Sequence, residues 1–195
     1  MNDNAKLIDA EDSLLLVIDV QDKFLVRLAQ EDADRVVTRC GWLMRVAAWL
    51  SVPVCVTAEE VPVMGPTTGA LRDAMAPGAI EHDKMVFGLA GQADILDAVA
   101  ATARRTAVLT GLETDVCVAQ SAIGLLAQGY RVAVVADACA SPQEGHDYGL
   151  QRMRDVGVTV ISSKGLFFEW VRDVERCHDF FRNSGIGVPE GLYIG

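Results

Sequence analysis

The 195-residue sequence has no C-x-x-C pair, no G-x-G-x-x-G and only three histidines. No uninterrupted apolar stretch approaches the roughly 20 residues that span a bilayer, so a membrane-embedded protein is excluded. The five cysteines, at 40, 55, 117, 139 and 177, are odd in number and widely spaced, which argues against a disulfide framework or a zinc ribbon and for reduced thiols. Without the glycine fingerprint a dinucleotide-binding enzyme is discarded. Basic charge is also scarce: 17 Lys and Arg stand against 27 Asp and Glu, a net charge of −10, so no nucleic-acid partner is expected. The first dozen residues lack the basic start and small-residue cleavage site of a secretory signal, and a cytoplasmic location is the expectation.

What the chain has is apolar substance, 51% of residues, cut into short runs alternating with helical periodicity. That alternation predicts an α/β fold, and the length fits a single domain over residues 1–195. Residues 13–19 form an apolar run that closes on Asp19, as a strand buried on both faces would. In open α/β sheets ligands gather beyond the carboxyl ends of strands, so Asp19 stands where chemistry would be, unless it is a solvated loop acid or a cap. Residues 30–50 predict a long helix whose apolar arc is too wide for one sheet face, with Trp42 and Trp49 outside the narrowest stripe. Either a neighbouring subunit or a large core would cover it. The second strand is expected over 52–57, then an irregular loop over 58–69 in which Glu59 and Glu60 are solvated acids or ligand contacts. Lys84, inside a mixed strand over 80–88, either snorkels to water or is held inward against an anion. A helix over 89–102 follows.

The stretch 108–137 carries the most information. A β-branched strand is punctuated by Gly111, Thr114 or Asp115 can cap a helix, and Val116, Ala119, Ile123 and Leu126 recur at helical spacing up to Gly129. Cys117 then lies in the first turn, where free N–H groups and the helix dipole favour a thiolate. A buried cysteine acting as a small hydrophobe is the competing reading. Beyond it, a strand ends at Asp137, Ser141 and Pro142 start a helix over 143–155, and His146 faces solvent or caps locally. A strand over 158–162, an amphipathic helix over 163–182 and a glycine-rich tail, of a kind that docks on a neighbouring subunit, complete the chain.

Four stretches taken in order, Ile18-Asp19-Val20-Gln21, Met64-Gly65-Pro66-Thr67, Asp83-Lys84 and Thr110-Gly111-Leu112-Glu113-Thr114-Asp115-Val116-Cys117-Val118, resemble the isochorismatase-like cysteine hydrolases, a family that includes nicotinamidases and carbamoylsarcosine amidase. The run from Asp137 to Ser141 is similar too. The resemblance implies a doubly wound, three-layer αβα fold with a parallel sheet of about six strands. It implies a catalytic triad of Asp19, Lys84 and Cys117, and a non-proline cis peptide at Leu112-Glu113 that forms an oxyanion hole with the N–H of Cys117. The function implied is hydrolysis of a C–N bond in a small carboxamide through a thioester, in a homo-oligomer and without a cofactor. Gln21, Phe24, Glu59, Met64, Phe87 and Leu112 are the expected pocket lining. Metal-dependent relatives place Asp-x-His after the second strand, where Ala58-Glu59-Glu60-Val61 stands here, so no metal is expected. Vinyl ether hydrolysis of the isochorismatase type and a non-catalytic scaffold are the alternatives.

Overall fold

The computed structural model describes residues 6–194. Six parallel strands form one sheet in the order β3-β2-β1-β4-β5-β6. They are β1 (Ser13–Ile18), β2 (Val54–Glu59), β3 (Glu81–Lys84), β4 (Thr106–Leu112), β5 (Arg131–Ala140) and β6 (Thr159–Ile161). Between them run α1 (Asp22–Leu25), α2 (Gln30–Trp49), α3 (Val61–Met64), α4 (Gly69–Arg72), α5 (Ala93–Ala101), α6 (Ala119–Ala127), α7 (Gly145–Asp155), α8 (Ser163–Val171) and α9 (Val174–Asn183).

β1 and β4 are buried along their whole length because both faces of the sheet are covered there, whereas the edge strand β3, Glu81-His82-Asp83-Lys84, is polar and largely part-exposed. Along β1, Leu15 and Val17 pack into one core with α2, α8 and α9, whereas Leu14, Leu16 and Ile18 pack into the other with α5, α6 and α7. This is the three-layer αβα, doubly wound fold. Strand order reverses between β1 and β4, and a ligand crevice is expected at that switch point, beyond the carboxyl ends.

The wide apolar arc of α2 is covered by the chain itself. Trp42 is fully buried with its ring 5.5 Å from that of Phe167, and Trp49 meets Phe180 edge-on at 5.2 Å. The C-terminal tail also packs inward, with Leu192 and Ile194 in the same core and the Gly191 carbonyl accepting from Arg39 Nη2 at 2.9 Å. The arc is thus covered within the chain, and the tail packs against that cover through Leu192 and Ile194 while Tyr193 stays exposed.

Several boundaries differ from the sequence reading. Gly111 lies inside β4 rather than ending it: it pairs with Ile18, its φ is +117°, and a Cβ there would lie 2.0 Å from the Ile18 carbonyl oxygen. Only glycine allows β4 to run that close to the end of β1. A register shift at the same point lets β5 continue past Asp137 to Ala140. Lys84 ends β3 instead of sitting inside it, and the loop after β2 is shaped into α3 and α4. The helical stretch after β3 is a single 3₁₀ turn, Leu89–Gly91, before α5. Ser141 does not cap α7, because its hydroxyl donates to Asp115 Oδ1 at 2.6 Å. The predicted helix over 163–182 breaks at Arg172, with φ +71°, and restarts where Asp173 caps α9 by accepting from the Arg176 N–H. No helix among the described residues is long and apolar enough to cross a membrane.

Candidate active site

The carboxyl ends of β1, β2, β3 and β4 converge on one buried cluster. Asp19 follows β1 with φ +51°, a left-handed conformation unusual for a residue other than glycine and kept by its surroundings. Its N–H donates to the Thr57 carbonyl at 2.9 Å, and the Thr57 hydroxyl donates to Asp19 Oδ1 at 2.8 Å. Lys84, at the end of β3, reaches across β2: its Nζ lies 2.9 Å from Asp19 Oδ2 as a close ion pair, donates to the Val86 carbonyl at 2.6 Å, and stands 3.7 Å from Cys117 Sγ. The amine is held inward, with no exposure to solvent.

Cys117 belongs to a π turn, Thr114–Val118, that precedes α6. Neither Thr114 nor Asp115 caps the helix; the Glu113 carbonyl instead accepts from the N–H groups of Val116 and Val118, both at 3.1 Å. The N–H of Cys117 falls between those two. The Leu112-Glu113 peptide is cis. The turn is pressed from behind by α7, where a Cβ on Gly149 would lie 2.8 Å from the Asp115 backbone. His146 does not face solvent: it is half-buried, its Nδ1 lies 2.9 Å from the Thr114 hydroxyl, and burial lowers its pKa.

The expectation of a resting thiolate is corrected. Burial, then the charge of Asp19, pushes the Cys117 thiol well above the ordinary range, and the Lys84 ammonium only partly opposes this. Burial also raises the Asp19 carboxyl, against the pull of Lys84. Both shifts run toward the protonated form, so burial opposes the pull of the helix start toward a thiolate.

Glu59 is closer to the sulfur than sequence reasoning allowed. The thiol donates to its Oε2 at 3.3 Å, and the same oxygen lies 3.9 Å from Lys84 Nζ. One ligand atom each from Asp19, Glu59 and Cys117 lie within 4.8 Å of one another, an arrangement that could hold a cation, and the Lys84 ammonium is the cation placed against it.

A cavity of about 430 Å³ opens here, lined by Glu59, Glu60, Lys84, Met85, Val86 and Phe87. Of the predicted lining, Glu59 and Phe87 are present. Gln21 instead fastens the loop: its Nε2 donates to the carbonyls of Glu59 and Gly65 at 2.8 and 2.6 Å, and its Oε1 accepts from the Glu59 N–H at 2.8 Å. Phe24 and Leu112 are buried in the core with α2, and Met64 packs against it. Arg27 went unread in the sequence; its guanidinium stacks 4.9 Å over Phe24 and lies 3.7 Å from the Glu113 carboxylate, which burial raises in pKa. Thr57 was also unread, although a hydroxyl one strand away and level with an acid is a usable signal. A depression of about 620 Å³, lined by Asp12, Arg105 and Arg131 among others, lies at the opposite ends of the strands.

The Isochorismatase domain family matches residues 13–165. Isochorismatase domain-containing protein 2 of Bos taurus is 33% identical over 164 residues, covering 83% of this chain and 76% of that protein. The structure of YcaC from Pseudomonas aeruginosa with hexane-2,5-diol and covalent acrylamide is 26% identical with a TM-score of 0.78, covering 87% of this chain and 85% of the other. YcaC from Escherichia coli, described as an octameric hydrolase of unknown specificity, gives a TM-score of 0.80 at 24% identity over 86% of this chain and 83% of the other.

Proposed function

The chain belongs to the isochorismatase family of hydrolases, and on that premise we propose that it is a cysteine hydrolase cleaving the C–N bond of a small carboxamide, with Asp19, Lys84 and Cys117 as its catalytic triad. The observation that carries this reading is the convergence of sulfur, ammonium and carboxylate, all buried, at the switch point of the sheet and beside a cavity of small-molecule size.

A thiol kept neutral at rest has to give up its proton as it attacks. Asp19 accepts that proton, and Lys84 compensates the negative charge that moves between oxygen and sulfur among buried side chains. The carbonyl oxygen of the substrate turns toward the N–H groups of Cys117 and Glu113, which act as the oxyanion hole. Collapse of the tetrahedral intermediate expels the amine, carrying the proton returned by Asp19, and leaves a thioester. Water deprotonated by the same carboxylate then releases the acid. No cofactor is required in this scheme.

We take the whole chain as one catalytic domain. A homo-oligomer is supported by the octameric YcaC, and a reducing compartment such as the cytoplasm by five free cysteines. The test is an ammonia-release screen over small amides. Wild type should turn over at least one, and Cys117→Ala should abolish that turnover. Ammonia release surviving loss of the sulfur removes the covalent mechanism; vinyl ether hydrolysis, the alternative, would release no ammonia and would persist in Cys117→Ala.

A further inference from the structure

The N–H groups of Glu113 and Cys117, the proposed oxyanion hole, are separated in the chain by the start of the π turn. Thr114 and Asp115 there are seated on α7. A Cβ on Gly145 would lie 2.8 Å from Asp115 Oδ2, and one on Gly149 would lie 2.8 Å from the Asp115 backbone N, so the turn cannot move toward the helix. Hydrogen bonds keep it from moving away. The Ser141 hydroxyl donates to Asp115 Oδ1 at 2.6 Å, and the Thr114 hydroxyl meets Nδ1 of His146, in the first turn of α7, at 2.9 Å. The Thr114 carbonyl meanwhile accepts from the N–H of Ala119, where α6 begins.

The Thr114 hydroxyl is fully buried, and His146 is its one side-chain partner among the described residues. A buried hydroxyl gives its proton to an acceptor. Burial, then the charge of Arg35, lower the pKa of His146, so the ring is neutral above pH 7 and its Nδ1 can accept. The network thereby assigns the ring proton to Nε2. Resting on the hydrolase reading above, we infer that His146 is a positioning residue: by accepting from the Thr114 hydroxyl it fixes the turn so that the N–H groups of Glu113 and Cys117 face one oxyanion together. It acts through Thr114 and touches neither the sulfur nor the substrate.

The experiment measures amide hydrogen exchange of the whole protein at pH 7.5, resolved to the peptide spanning residues 113–119. His146→Leu removes the acceptor and strands the buried hydroxyl, so exchange there should accelerate roughly tenfold while β1 and α5 keep their protection. His146→Asn, whose Oδ1 falls near the place of Nδ1, should restore most of the protection. Thr114→Val should behave like His146→Leu, and the two together should be no faster than either alone, because they remove the same bond. Wild-type exchange in His146→Leu overturns the inference, as does an Asn variant as fast as the Leu variant or an acceleration spread over the whole chain. Should His146→Leu fail to fold, wild-type exchange in Thr114→Val overturns it equally. On an amide found by ammonia release, His146→Leu should lower kcat roughly tenfold and leave KM in place, since oxyanion donors act in the transition state and a displaced donor costs less than a missing one. A change in KM alone counts against the inference. If no amide is turned over, the hydrolase reading falls, while the exchange measurements still decide whether His146 holds the turn.

Discussion

Lys84 Nζ lies 2.9 Å from Asp19 Oδ2, and neither side chain has any exposure to solvent. Each charge is tolerated in that position only because of the other. Lys84→Met should cost about 3–5 kcal/mol of stability, since it leaves a carboxylate buried and unpaired. The double variant Asp19→Asn/Lys84→Met should recover much of that loss while remaining inactive. Urea melts of the two variants check this, and equal destabilisation in both would show that the pair is not the source of the cost.

The thiols give a pH dependence with a definite sign. Burial pushes Cys40 up to about 12 and Cys55 up to about 11, and also raises Cys117 and Cys139. Each folded value lies above that of the unfolded chain, so the folded state keeps the proton longer. This contribution is complete below the unfolded thiol pKa of about 8.5 and is lost as pH rises toward the folded values, at about 1.4 kcal/mol per pH unit for each thiol. Stability should therefore decline above pH 9, and Cys55→Ala should flatten the slope by one thiol's share in melts between pH 8 and 10.5.

Alkylation of Cys117 by iodoacetamide should keep rising through the pH at which free cysteine has levelled off, because its thiol is raised by burial and by Asp19. A plateau reached below pH 8 would restore the resting thiolate that the helix-start argument expects.

Gly111 should tolerate no side chain. With φ +117° and the Ile18 carbonyl oxygen 2.0 Å from the position of a Cβ, Gly111→Ala has to part β1 from β4 just before Asp19 and Cys117. A loss of at least about 3 kcal/mol is expected, by backbone strain and broken strand pairing together. Thermal melts check this; a native melting temperature would contradict it.

Gln21 should act as a fastener rather than as a substrate contact. Gln21→Ala removes three hydrogen bonds to the backbone of Glu59 and Gly65, a local cost of roughly 2–3 kcal/mol. Amide exchange at residues 59–65 should accelerate while the α6 and α7 cores stay protected. Unchanged exchange in the loop would return Gln21 to the pocket.

The sequence by itself determined the layers and the ends of strands at which chemistry collects. Unbroken apolar runs such as residues 14–18 fit only strands covered on both faces, and an acid directly after such a run must stand at the end of its strand, as Asp19 does; Lys84, in a mixed segment, was open between solvent and an inward anion until the fold set it against Asp19. Local pattern also announced the turn at Cys117. It did not reach what depends on distant backbone. The wide apolar arc of α2 was ambiguous until Phe167 and Phe180 were seen to cover it, because a helix face does not say which chain supplies its partner. Gly111 read as a stop because its close approach to Ile18 exists only once β1 and β4 pair. The state of the Cys117 proton was likewise a tertiary decision: the helix start argued for a thiolate, but burial and the charge of Asp19 outweigh the helix end and Lys84, since removal from water penalises the charged form more than one ammonium repays.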